Sequence, residues 1–389
     1  MKINKWTLGL AAAGVVSLGA VAEEAQNQVL TALSSTTLSG YVETSAIYNF
    51  DDGPNLGLGQ SFSGADKQDG FNLQVVNLTL QKPLDEGAWS AGYRVDLMLG
   101  PDANLYGTPS SVAGASSDFA IRQAHIDLRV PVGNGLDVKA GVFDTIVGYE
   151  VFENGGNPNY SRSYAYFMEP FAHTGVLASY QVNDAIGLVG GFSENSTLSN
   201  SINSRSGAPG TKSYLAGVSL TAPEGTGLLE GASLFAGLAD AGTVATPDVQ
   251  HYYVGGSLPT PVDGLSLGIA WDYQTDTVAT AGGTGDWWAL AGYVSFQVPD
   301  SKVTLNGRAE YVEADGGATG VAGTGFGGIG TDEIFALTGT VDYALWDNVI
   351  SRAEIRWDSA DDNIFGGSVA GAGDKDEQLS LALNLIYQF

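Results

Sequence analysis

Charged side chains recur at every second position in stretches that are otherwise apolar. Arg94 and Asp96 alternate with Tyr93, Val95 and Leu97. Lys139 shares a face with Asp137 and Phe143, opposite Val138 and Ala140. Lys302, Thr304, Asn306, Arg308 and Glu310 alternate with Val303, Leu305, Ala309 and Tyr311. Arg352, Glu354, Arg356 and Asp358 alternate with Ala353, Ile355 and Trp357. A period of two is the strand period, so each charged set lies on one strand face and the apolar set on the other. The chemistry open to such a face is electrostatic: a basic wall strip facing carboxylates on a loop would orient dipolar solutes and bias ion passage. The plainer role is that these charges pair with their neighbours and stiffen the wall.

A second group of polar residues sits between the alternating stretches 136–144 and 173–182. About 28 residues, 145–172, are rich in aromatic, Asn, Gly, Glu and Arg side chains, and a connection of that length is usually functional. It carries Glu150, Glu153, Arg162 and Glu169 together with Tyr160, Tyr164, Tyr166 and Phe167, and His173 follows at its exit. Folded into the mouth of a barrel, Glu150, Glu153 and Arg162 would form a constriction, with Glu169 and His173 beside it. The other arrangement leaves the segment outside or over the mouth.

Bond-making chemistry is poorly represented. The chain has three histidines, His125, His173 and His251. His125 and His251 fall on strands with polar inward neighbours, as a wall-mounted hydrolase would need. Ser and Asp are too common on such strands for that pairing to mean much. No GxSxG, HExxH, P-loop or CxxC motif occurs. DSADDN (358–363) offers oxygens to Ca²⁺, but its spacing is not that of an EF-hand, and solvated acidic loops are the simpler reading. These residues point to no enzyme, no metal and no other cofactor.

Positioning them requires a large sheet. About sixteen alternating stretches run through the chain: 37–50, 71–82, 89–99, 119–130, 136–144, 173–182, 185–192, 213–221, 230–239, 250–258, 265–274, 287–298, 302–313, 333–344, 349–358 and 377–389. The connections between them alternate in length. Long ones (51–70, 100–118, 145–172, 193–212, 240–249, 275–286, 314–332, 359–376) take turns with short ones such as 131–135, 183–184 and 299–301. A soluble sandwich has no reason to sort its loops this way. A transmembrane antiparallel β-barrel does, with short periplasmic turns and long outer loops, and an even strand count puts both ends in the periplasm. At about sixteen strands the bore is water-filled, so the polar faces line it.

Two positions test the alternation. The last stretch places Leu379, Leu381, Leu383, Leu385, Tyr387 and Phe389 on one face, with Ile386 the exception on the other. Arg122 falls with Ala124, Ile126 and Leu128 on the lipid face. Either a bulge resets the phase there or Arg122 sits at the outer interface.

The ends and the composition agree with an exported barrel. Lys2 and Lys5, an apolar run from Trp6 to Gly19 and Ala20-Val21-Ala22 read as a signal peptide cut after Ala22. Residues 23–36 form a short periplasmic lead, a helical turn or two or an irregular segment, and 37–389 the barrel. There are no cysteines, so no disulfide supports the fold. Charged residues are 15 %, well below the quarter or so of an average soluble domain. The formal charge of -27 argues against nucleic acid as a partner. The acids cluster in the outer connections, with Asp51, Asp52, Asp66 and Asp69 in the first and Asp361, Asp362, Asp374 and Asp376 in the eighth.

GVFDTIVGYE (141–150), NPNYSRSY (157–164) and EPFAHTG (169–175) resemble the putative β-barrel porin-2 family of Gram-negative outer-membrane proteins. The resemblance is carried by this stretch, and elsewhere by strand texture and the terminal Phe389. It implies an outer-membrane porin, passing small hydrophilic solutes and ions passively, with lipid and the barrel insertion machinery as partners and Phe389 as the insertion signal. It also implies the homotrimer common among porins of this size, although no trimer face stands out in the sequence. A substrate-selective channel for anions or sugars, or a non-conducting adhesin, are the alternatives. The acidic total favours cations and the inward basic residues favour anions, so the sign of selectivity stays open.

Overall fold

The computed structural model describes residues 29–30, 35–50, 69–106, 118–194, 212–240, 249–278, 284–315, 331–366 and 374–389. The expected signal peptide, most of the lead, and Asp51, Asp52 and Asp66 lie outside them. A two-residue strand, β1 (Val29–Leu30), pairs with the start of β2 (Thr37–Asn49), where a helical turn was one expectation. The remaining strands are β3 (Gly70–Lys82), β4 (Ser90–Leu99), β5 (Phe119–Val130), β6 (Leu136–Asp144), β7 (Ala172–Asn183), β8 (Ile186–Ser193) and β9 (Ser213–Thr221). They continue as β10 (Ser233–Asp240), β11 (Gln250–Pro259), β12 (Leu265–Val278), β13 (Thr284–Gln297), β14 (Val303–Ala314), β15 (Glu333–Trp346), β16 (Val349–Ala360) and β17 (Glu377–Gln388).

Each of these strands pairs antiparallel with its sequence neighbours, and β17 pairs back onto β2, closing a barrel of sixteen strands. At the seam, Gly40 and Phe389 exchange both backbone hydrogen bonds at 2.9 Å. Closure leaves no edge strand, which is what allows a sheet to stand in lipid. Strand boundaries agree with the sequence pattern to within a few residues, because the pattern reports the pleat directly.

The barrel is inverted relative to a soluble one. Glu43, Asp96, Arg308, Glu354, Arg356 and Asn384 are buried on its inner face. Ile126, Ile269, Leu383 and Leu385 are about half exposed on its outer face. Ile386 takes the inward phase and is buried against the loop, so alternation does not break at the last strand.

Alternation does break where bulges shift the register, and two of these bulges bear on the loop. In the β4–β5 pair, Asp96 faces Gln123 and Leu97 faces Ile121, leaving Arg122 as the extra residue. A bulge inserts one residue and re-aims the side chains around it. Arg122 therefore points inward, which resolves the two readings in favour of the bulge. The β2–β3 pair has a second bulge at Gln74, also inward and buried.

Candidate functional site: the infolded loop and its wall

The segment between β6 and β7 folds into the barrel. Its residues 157–170 are all buried. Ile146 and Val147 start the descent by packing on inward apolar residues of the adjoining β7–β11 arc: Leu177, Val189, Leu215, Phe235 and Tyr253. Tyr149 stacks on Tyr293 with ring centroids 4.2 Å apart. Gly268 on β12 makes room for it, since a Cβ there would come within 1.8 Å of the Tyr149 hydroxyl. The chain then turns, held by Asn157, whose side chain accepts from Val151 N at 2.8 Å and donates to Val151 O at 2.6 Å. Ser163 caps the short helix Tyr164–Met168 by accepting from Tyr166 N. This helix, like Pro101–Tyr106 in the second outer connection, is absent from the sequence reading.

A loop inside a barrel has no ladder to pair with, so its buried amides need other partners. The wall supplies them. Glu354 accepts from Tyr160 N at 2.6 Å and Ser161 N at 2.9 Å, and Glu310 accepts from Tyr164 N at 2.7 Å. Arg308 donates to Ser161 O and Arg162 O, Arg352 to Asn154 O and Asn157 O, and Arg356 to Arg162 O. Further round the same wall, past β17, Asn154 donates to Glu43 on β2, and the Tyr160 hydroxyl accepts from Gln74 on β3. Gln274 on β12 donates to Met168 O at 3.2 Å, so the loop is tied to opposite walls.

One charged cluster keeps contact with water at the level of the loop. The Glu153 carboxylate accepts from Arg94 at 3.4 Å and from Arg122 at 3.2 Å. Arg94 also pairs with Asp96 at 2.8 Å, and Arg122 with Asp144 at 2.6 Å. The side chains of Arg94 and Glu153 are 32 % and 28 % exposed, against 0–2 % for Arg308, Glu150 and Glu310. Towards the periplasmic end, Lys139 and Asp127 sit opposite each other on β6 and β5.

The candidate residues therefore separate into groups. Glu150 and Arg162 are buried inside the loop's own network: Glu150 accepts from Ser163 N and Arg308, and Arg162 donates to Asn154 and to Phe152 O. Glu153 alone among the loop's named residues reaches the wet cluster. His173 stands at the loop's exit with its ring bonded to Thr145. Glu169 is buried at the neck, and burial, with Asp272 and Glu150 nearby, raises its carboxyl well above the ordinary range. The other histidines are engaged. His251 meets Asp272 through one ring nitrogen and Gln274 through the other, and His125 lies 3.2 Å from Asp127. Among the described residues no three His, Asp or Glu side chains are placed to hold a metal ion. Sequence reasoning missed Asp144, Asn154 and Gln274, and left Arg122 unplaced. The adjacent polar pair Arg122-Gln123 was the available sign of a bulge.

The sequence profile of the putative β-barrel porin-2, OmpL-like, family matches residues 35–389. The chain belongs to this family. No curated protein matches this porin in sequence. Solved structures of similar fold include an anion-selective porin from Comamonas acidovorans, at TM-score 0.60 and 13 % identity, covering 91 % of this chain and 99 % of that one. OprB of Pseudomonas putida follows at TM-score 0.57 and 12 % identity, with 91 % and 94 % covered. The trimer form of OmpT from Vibrio cholerae has TM-score 0.55 and 14 % identity, with 91 % and 99 % covered. Family and fold together make this a porin of the outer membrane, a channel for passive diffusion.

Proposed function

We propose that small hydrophilic solutes and ions cross this porin beside Glu153, between the loop and the β4–β6 arc. The observation that carries this reading is the partial exposure of Arg94 and Glu153, where the contacts on the other arcs are closed. Arg94 and Arg122 face the carboxylates of Asp96, Asp144 and Glu153 there, so the constriction is nearly charge-balanced and its ion selectivity is weak. Lys139 lines the same side nearer the periplasm. Residues 1–22 act as an export signal and 23–36 as a periplasmic lead. Phe389, at the closing seam, is the residue the insertion machinery would read. Lipid covers the apolar outer face, and the working form is a homotrimer. Single-channel recording of the refolded, signal-free protein in planar bilayers tests the channel: stable ohmic steps are expected, with a small reversal potential under a salt gradient. No conductance from a folded, inserted barrel would move the weight to a surface role with an occluded lumen.

A further inference from the structure

The charges of β14 and β16 were expected to line the bore. Their geometry assigns them a different task. Arg308, Arg352 and Arg356 are 2–3 % exposed and Glu354 3 %, so none of them offers a face to a passing solute. Three guanidiniums stand against four carboxylates, Glu310, Asp342, Glu354 and Asp358, so the strip has no basic excess to project. Its partners on the loop are mostly main-chain atoms. The arginines take five bonds to the carbonyls of residues 154, 157, 161 and 162, and Glu354 takes the N–H groups of 160 and 161. A planar guanidinium fork suits this work, because it holds two acceptors in fixed directions.

We propose that Arg308, Arg352, Glu354 and Arg356 form a main-chain clamp that fixes where the loop stands, and so sets the bore's width without touching the solute. The bore-width part rests on the diffusion reading above, while the clamp itself does not. These are positioning residues. They grip the loop from β14 and β16, whereas Glu153 meets Arg94 and Arg122 on β4 and β5, so loosening them lets the loop move relative to those two arginines. The loop side chains contribute less to this grip than its path does, since carbonyls and amides are common to every residue.

The test pairs two readouts on folded barrels of wild type, Glu354→Gln and Arg352→Gln, each first checked for the heat-modifiable folded band. Hydrogen exchange at the amides of Tyr160 and Ser161 reads the clamp. At least tenfold faster exchange there is expected, with the wall strands unchanged. Single-channel recording reads the bore, and larger, noisier steps are expected. If neither variant folds, Arg356→Lys, which keeps the charge and loses the fork, carries the same comparison. Asn159→Cys with Thr340→Cys ties loop to wall where the two side chains now bond at 2.8 Å. The chain has no other cysteine. In the Glu354→Gln background this disulfide is expected to restore both protection and step size. Unchanged exchange in folded variants overturns the clamp. Faster exchange with unchanged steps overturns its control of the bore. A wild type that does not conduct defeats the diffusion reading, and the exchange result still decides the clamp.

Discussion

At the scale of single residues, Glu153 joins the loop to two arginines of the wall, and it is the point where charge and water meet. Substitutions around it should move ion selectivity in opposite directions. Glu153→Gln removes a negative charge from a nearly balanced site and should shift the reversal potential towards anions. Arg94→Gln should shift it towards cations. Arg94 can be changed with limited damage to the fold, since Asp96 keeps Gln123 at 2.9 Å and Arg122 at 3.5 Å. Shifts of the same sign in both variants would show that ions pass elsewhere. Arg122 is a poorer probe. It faces three carboxylates while nearly buried, and removing one partner of a buried pair destabilises by about 3–5 kcal/mol. The inward phase of most of these residues was legible, because period-two alternation is a property of the backbone alone. The position of Arg122 was not, because a bulge is defined by two strands together.

At the scale of the element, the loop is a strut with an apolar foot, a main-chain grip and a neck closed by Glu169. Gly148 at φ 106° lies against that carboxylate, and a Cβ at 148 would come within 2.1 Å of Glu169 Oε2. Burial makes the charged form of Glu169 unfavourable, with Asp272 and Glu150 adding like charge. The folded carboxyl therefore holds its proton to higher pH than it would in an unfolded chain, where the value is about 4.3. Above that pH the folded state binds more protons, so stability falls as pH rises until Glu169 ionises in place. The midpoint of heat unfolding should drop as the pH rises above the unfolded-chain value in the wild type, and Glu169→Gln should flatten that slope. An equal slope in both proteins would mean that Glu169 is not the group responsible. The length and composition of this element marked it out in the sequence. Its path did not show there, because its partners stand on strands far along the chain.

At the scale of the whole molecule, the barrel carries its apolar surface outside and its charge inside. Depth in the membrane should then govern tolerance on the outer face. Leu383, in the middle of β17 and about half exposed, is a midplane position. Leu383→Arg should lose about 2–4 kcal/mol of stability, and Tyr387→Arg, near the strand end, about 1 kcal/mol or less. Urea unfolding in lipid vesicles followed by tryptophan fluorescence measures both. Equal losses at the two depths would argue that this face meets protein along its whole height. In the homotrimer proposed above, a contact between copies would replace lipid over part of the surface.

What the sequence determined by itself is everything that depends on neighbours along the chain. The pleat makes side chains alternate, so strand spans, the two faces and the long-short order of the connections could be read before any folding. Ile386, read as an exception, was in phase all along, and only its apolar contact with the loop explains an isoleucine on an inner face. What the tertiary structure decided are the relations set by closure. Arg352 reaches Asn157 O at 2.6 Å across 195 positions of sequence, and Arg356 reaches Arg162 O at 2.6 Å across 194. No local pattern encodes such a meeting, because it follows from where β14–β16 stand once β17 has closed on β2. The same charged faces could have lined an open bore. They hold a loop because the buried amides of that loop had to be satisfied from the wall.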